Sequence, residues 1–193
     1  MMSSAENCTD NDLYLKAATS LHKLQPTSQS AYFLYRLNAS RGNVDEALSY
    51  ISEALAYTDL ETETAADYNY EAAAFCVKNG RNPQAITFAE KAKELSSSYA
   101  GKVYFLIGTI WGATSCGGDE ISRRAPYWVA VDYMERAKAA DASLAEDCNR
   151  MISQYRVYYP QTAEAFMYNL TDGQSYTVSC GGMRATTTVR TQK

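Results

Sequence analysis

Three short phrases, Gly42-Asn43-Val44-Asp45-Glu46-Ala47, Gly80-Arg81-Asn82-Pro83-Gln84-Ala85 and Tyr127-Trp128-Val129-Ala130, open amphipathic segments built to one pattern. Ala47 and Ala85 lie 38 residues apart, and Ala85 and Ala130 lie 45 apart. Each is followed seven residues later by a second alanine, giving Ala47/Ala54, Ala85/Ala92 and Ala130/Ala137, with Ile51 and Met134 standing between two of the pairs. Seven residues is about two turns of an α-helix, so each pair shares one narrow face against which another helix can come close. Self-similarity at this period predicts stacked helical hairpins, each touching only its neighbours, in place of a core with a single centre.

The rest of the chain fits around that frame. Residues 12–24 read as an amphipathic helix with Leu13, Ala17, Leu21 and Leu24 on one face, closed by Gln25-Pro26 as the second helix of a hairpin would be. Its partner helix would precede Asp12, where only eleven, mostly polar, residues stand. The chain therefore reads as the C-terminal part of a longer array, behind a disordered segment 1–11. The first full hairpin spans about residues 28–58, with Ala31, Leu34, Tyr35 and Asn38 in its first helix. Asp45 and Glu46 open its second, where carboxylates suit the positive end of the helix dipole. The next hairpin spans about residues 66–98 and carries Pro83 just inside its second helix, where a missing N–H costs nothing. The third starts near Gly101 and resumes only at Pro126, which predicts an inserted loop of about ten residues between Gly112 and Pro126. Such a loop is either a functional insertion or a plain surface connection. A capping helix from Leu144 to about Tyr159 completes an array over residues 12–159. A tail, 160–193, then holds a short helix at 162–168 and two β-branched runs around Gly181-Gly182, a hairpin signal. The fold expected is all-α, an α-solenoid of helical hairpins with a small C-terminal β-hairpin, which must dock on the helices or on another chain to be stable.

Composition narrows the function. An apolar fraction of 46% with 21% charged residues describes a folded protein, and a net charge of −4 gives no general attraction for nucleic acid. No apolar run reaches the roughly 18 residues of a membrane helix, and the first residues lack the basic and apolar regions of a signal peptide. The five cysteines form no C-x-x-C pair and His22 is the single histidine, so neither a zinc site nor any other metal or cofactor motif is evident. Nothing in the sequence sets an oligomeric state.

The Ala-x3-large-x2-Ala spacing of the second helices, the glycines at the turns, and Ile107, Gly108 and Trp111 in a first helix together resemble tetratricopeptide repeats over about residues 12–142. Asp59, Ser97 and Ala142 stand where the repeat usually closes on proline. The stretch from Tyr99-Ala100-Gly101-Lys102 through Ala125-Pro126-Tyr127-Trp128 to Ser179-Cys180-Gly181-Gly182-Met183-Arg184 is similar to the ends of secreted or envelope tetratricopeptide proteins of Bacteroidales-type bacteria. That resemblance implies an extracytoplasmic protein without catalytic chemistry. The location is then periplasmic or outer-membrane associated if the full-length protein carries a signal peptide, and cytoplasmic if this chain is complete.

Repeats of this kind hold a protein or peptide in a groove lined by their first helices. Helical spacing places Tyr32, Arg36, Tyr70, Glu71, Lys78, Lys102 and Phe105 toward that groove, and tyrosine and arginine are favoured in binding surfaces. The alternative for each tyrosine is packing between repeats. The basic clamp that some such proteins close on a peptide carboxylate does not carry over, because Glu71 and Ala74 occupy the middle hairpin. Ser-Cys-Gly-Gly occurs twice, at residues 115–118 and 179–182, in two expected loops. Cys116 and Cys180 are thus either a disulfide tying the tail to the third hairpin or two free thiols. Cys76 and Cys148 read as small buried hydrophobes. A catalytic thiol would need a base, and His22 lies far along the chain. Asp45-Glu46 reads as a helix opener, and Asp119-Glu120 as the start of a short helix inside the insertion. The function expected is a non-catalytic protein- or peptide-binding scaffold of the bacterial envelope, with a carbohydrate- or small-molecule-binding envelope protein as the alternative and a thiol-redox enzyme behind both.

Overall fold

A computed structural model describes residues 12–58 and 60–192; the expected disordered segment 1–11, with Cys8, lies outside them. Helices α1 (Asp12–Leu24), α2 (Ser28–Ser40), α3 (Val44–Ala56), α4 (Thr62–Lys78), α5 (Asn82–Leu95), α6 (Ala100–Ala113), α7 (Glu120–Ala140), α8 (Ala145–Arg156) and the short α9 (Thr162–Met167) follow in chain order. Strands β1 (Ser175–Cys180) and β2 (Met183–Thr188) close the chain. The densest packing is within the pairs α2/α3, α4/α5 and α6/α7, with α8 laid on α7. This is the expected all-α solenoid with its β-hairpin.

The alanine pairs explain the tight pairing. Ala47, Ala54, Ala85, Ala92, Ala130 and Ala137 are all fully buried, as are Ile51 and Met134 between them. At the α6–α7 crossing the approach is closer still: a methyl on Gly108 would sit 2.9 Å from Met134 Cε and 3.2 Å from the Ala130 carbonyl, so only glycine allows that spacing.

Helix ends follow local chemistry. Thr27 caps α2 by accepting from the Ser30 N–H at 3.0 Å, and Ser30 reaches back to the Thr27 N–H in a capping box. Asp119 caps α7 by accepting from the Ser122 N–H at 2.7 Å, and those hydrogen bonds from Ser122 hold its carboxyl below the usual range.

Two expectations change. The stretch between Gly112 and Pro126 is not a ten-residue loop: the connection runs over residues 114–119, and α7 begins at Glu120 with Pro126 inside it. Ile121 and Ala125 are buried, so burial of an apolar stripe extends the helix two turns ahead of the repeat pattern and offsets the amide hydrogen bond that Pro126 cannot make. In α1, the apolar stripe points outward, with Leu13, Leu21 and Leu24 71%, 63% and 82% exposed. The side that packs toward α2 and α3 is instead the one carrying His22, whose ring bonds Ser30 Oγ at 2.6 Å and Glu53 Oε1 at 2.9 Å.

Strands β1 and β2 pair antiparallel from Ser175↔Thr188 to Cys180↔Met183, joined by Gly181-Gly182 with φ of 60° and 74°. A two-residue turn with both φ positive matches strand twist and is open mainly to glycine and asparagine. The hairpin packs against α7, and its Val178, Met183 and the following Val189 are buried in the common core. Trp128 Nε1 donates to the Arg190 carbonyl at 2.9 Å, Thr187 Oγ1 donates to Asp132 at 2.5 Å, and the Arg190 guanidinium pairs with Asp132. Cys116 and Cys180 lie at disulfide-bonding distance, their Cα atoms 5.6 Å apart. No helix among the described residues is long and apolar enough to cross a membrane.

Candidate binding face

The first helices α2, α4 and α6 each bury one stripe against their hairpin partner and leave the opposite stripe to solvent. On α4 the buried stripe is Ala66, Asn69, Ala72, Ala73 and Cys76. The 3.6-residue period then puts Asp67, Glu71, Ala74 and Lys78 on the opposite side. The same reasoning puts Phe33, Arg36 and Ser40 on the outer side of α2, and Lys102, Leu106 and Thr109 on that of α6. Around Phe33, Arg36, Leu37 and Ser40 the surface dips into a shallow depression of about 330 Å³.

Tyrosines fill the seams between consecutive first helices. Tyr32 of α2 stacks on Tyr68 of α4 with ring centroids 3.8 Å apart and planes 5° from parallel, and its hydroxyl donates to Glu71. Tyr35 meets Phe75 edge-on at 5.7 Å. One seam further on, Tyr70 packs on Tyr99 at 5.1 Å, the Tyr99 hydroxyl donates to Asp67, and Lys102 lies 5.4 Å from the Tyr99 ring centroid. Within the third hairpin, Tyr104 of α6 packs on Tyr133 of α7 at 6.2 Å, with Lys93 of α5 4.8 Å from the Tyr104 ring. Ring pairs of this kind add to area burial and fix the angle between helices.

These contacts set the electrostatics. Burial, then the hydrogen bond to and charge of Glu71, push the Tyr32 hydroxyl up to about 12. The hydrogen bond to Asp67, then burial, push Tyr99 up to about 12. Burial raises Tyr35, with Glu71 adding to it. Both carboxylates on the α4 face thus accept from tyrosine hydroxyls, while Arg36, Lys78 and Lys102 make no ion pair among the described residues.

Of the seven residues that spacing aimed at the groove, Arg36, Lys78 and Lys102 are exposed and Glu71 is half-buried on the outer face of α4. Tyr32 sits in the first seam, Tyr70 in the second, and Phe105 is half-buried against the core. Tyr68, Tyr99 and Asp67, which complete the seams, escaped the sequence reading. A signal existed in Tyr68, one helical turn before Ala72 and three residues before Glu71. The thiols Cys76 and Cys148 are buried, and burial pushes Cys76 up to about 11 and Cys148 upward as well. His22 is engaged by Ser30 and Glu53, away from either thiol.

The chain matches neither a protein-family model nor a curated protein. Solved structures do resemble it. The crystal structure of MamA, a tetratricopeptide-like protein, aligns over 75% of this chain and 82% of that one with a TM-score of 0.50 at 15% sequence identity. The fold is tetratricopeptide-like. At that identity the likeness speaks for architecture, and any activity has to be argued from the residues on the face.

Proposed function

We propose that this protein is a non-catalytic scaffold that binds another protein or a peptide segment along the outer faces of α2, α4 and α6. The observation that carries the reading is that three cations, Arg36, Lys78 and Lys102, stand on consecutive first helices without ion pairs among the described residues, while the neighbouring carboxylates are engaged by tyrosines. A face of this kind suits an extended segment bearing carboxylates, held by rim charges over rigid aromatic seams. Residues 12–159 form the binding array in this proposal, and residues 160–193 close its end. The setting proposed is the bacterial envelope, which the disulfide-distance pair Cys116 and Cys180 supports, since such bonds persist in oxidising compartments.

Selection of binders from a random peptide library, followed by titration against variants, tests the reading. Selected peptides are expected to be acidic and to lose at least fivefold in affinity to Arg36→Ala, Lys78→Ala and Lys102→Ala, with no change for Glu46→Ala or Gln84→Ala on the second helices. Binders that ignore all three cations, or a library that yields none, overturn it.

A further inference from the structure

A cleft of about 480 Å³ lies apart from the first-helix face, where the early turns of α7 meet the chain after α8 and the start of α9. Its size falls in the range of small-ligand sites. Tyr127 and Tyr158 line it as a stacked pair, ring centroids 4.3 Å apart and planes 12° from parallel. Tyr127 also packs on buried Tyr155 at 5.8 Å, and burial followed by the neighbouring Tyr158 raises its hydroxyl pKa. Tyr158 is 49% exposed. Its ring is thus stacked on Tyr127 while about half of the residue stays open to solvent.

Around this platform stand two carboxylates and two guanidinium groups. Arg124 links Glu120 at 2.5 Å and Glu164 at 2.9 Å, which fixes all three side chains. Arg123 lies 3.6 Å from Glu120 and keeps 59% of its side chain exposed. Among the described lining residues the formal charges cancel. Each carboxylate retains acceptor capacity and Arg123 retains donors. Val157 is the one aliphatic residue among the described lining residues, so the cleft is aromatic and polar and offers little aliphatic surface to an apolar peptide side chain.

We propose that this cleft is a binding site for an uncharged oligosaccharide, with one sugar ring seated on Tyr158. The C–H face of a pyranose carries slight positive charge and lies well on the negative face of an aromatic ring. Vicinal hydroxyls, each both donor and acceptor, pair with the alternating carboxylate and guanidinium groups at the rim. A peptide would find few aliphatic contacts in the described lining. The site is independent of the α2–α4–α6 face, and the protein holds its protein partner and its sugar on separate surfaces.

Titration of the full chain with cellobiose, lactose and N,N′-diacetylchitobiose, followed by saturation-transfer-difference NMR and tyrosine fluorescence, tests the site. At least one of the three is expected to bind and to show transfer to its ring protons. Tyr158→Ala should weaken it tenfold or more, Tyr158→Phe should leave it within twofold, and Arg123→Ala should weaken it two- to fivefold. Tyr158 and Arg123 are surface side chains, and an unchanged unfolding midpoint in both variants separates lost binding from lost fold. Arg36→Ala and Lys78→Ala should leave sugar binding unchanged, so this proposal and the peptide-scaffold reading fail separately. No binding to any of the three sugars, binding insensitive to Tyr158→Ala, or displacement of the sugar by an acidic peptide selected on the first-helix face overturns the proposal.

Discussion

At its C-terminal end the array is tied by several contacts from residues far along the chain, whereas α1 is held by a few side-chain contacts and its leucines face solvent. Cys180, Arg190 and Thr187 reach back to Cys116, Trp128 and Asp132. Gln192 donates its side-chain amide to the Val157 carbonyl at 2.9 Å, and its backbone N–H donates to that of Pro160 at 2.8 Å. The α1 end is tied by His22 to Ser30 and Glu53, and by an Asp12–Arg41 contact at 2.5 Å whose aspartate is 84% exposed. Among the described residues, the large exposed apolar side chains fall before residue 34 or after residue 156. The contrast shows how a solenoid handles the surface that stacking leaves open: a terminal face needs its own cover, and here one is built from sequence-distant ties.

The Cys116–Cys180 pair, at disulfide-bonding distance, should matter most. Cys116 and Cys180 close 64 residues of chain, and loop closure of that length is worth about 4 kcal/mol in the chain-entropy model. Cys180→Ala is expected to lower unfolding stability in urea by about that amount under oxidising conditions. In excess dithiothreitol the variant and the parent should converge. Equal stability with and without reductant would mean that the hairpin is held by its noncovalent contacts alone.

The ion pair beneath the hairpin comes next. Arg190→Met removes the guanidinium from Asp132, whose side chain is 22% exposed, along with a 3.2 Å hydrogen bond to the Trp128 carbonyl. Leaving a mostly buried carboxylate without its cation costs roughly 1–3 kcal/mol. Adding Asp132→Asn should recover part of that loss, and the double-mutant cycle measures the coupling directly. A fully additive cycle would show that the pair does not hold the cap.

The seam between α2 and α4 gives a smaller, pH-dependent effect. Tyr32→Phe removes the hydrogen bond to Glu71 but keeps the stack on Tyr68, so about 1 kcal/mol is expected at neutral pH. In the folded protein the Tyr32 hydroxyl titrates near 12 instead of the ordinary 10. A raised folded value means that the native state holds its proton longer than the unfolded chain. The stability it contributes is intact below pH 10 and is lost as pH climbs from 10 toward 12. Unfolding midpoints taken across that window should fall less steeply for Tyr32→Phe than for the parent, with Tyr99, Tyr35 and the other tyrosines whose hydroxyls are pushed up on folding supplying the slope that remains.

The array was legible in the sequence because it is periodic. Small residues at a fixed interval mark helix contacts, and Ala47, Ala85 and Ala130 all proved buried. The Gly181-Gly182 turn was legible for a similar reason, since a two-residue turn with positive φ draws on few residues. What could not be read was set by distant partners. The stripe Leu13–Ala17–Leu21–Leu24 looks like a core face, yet the direction α1 turns depends on His22 finding Glu53, 31 residues away. Pro126 looked like a helix start, and the helix begins earlier because Ile121 and Ala125 are covered by the folded chain. The cleft beside Tyr158 joins α7 to residues near 160 and 192, a meeting that no local pattern announces.

The smallest effect is expected where the apolar residues look most exposed. Leu21 and Leu24 are 63% and 82% exposed and contribute little buried area. Replacing both with glutamine removes apolar surface that folding does not hide, and substitutions of this kind usually stay within about 0.5 kcal/mol. Glutamine also has nearly the helix propensity of leucine, so α1 itself is not weakened. Leu21→Gln/Leu24→Gln should therefore unfold at the same urea concentration as the parent, in contrast with Cys180→Ala at the other end. A loss above 1 kcal/mol would place these leucines in a contact made in solution. The loss would then identify α1 as a face that is covered there, and the asymmetry between the two ends would reduce to a difference in what covers them.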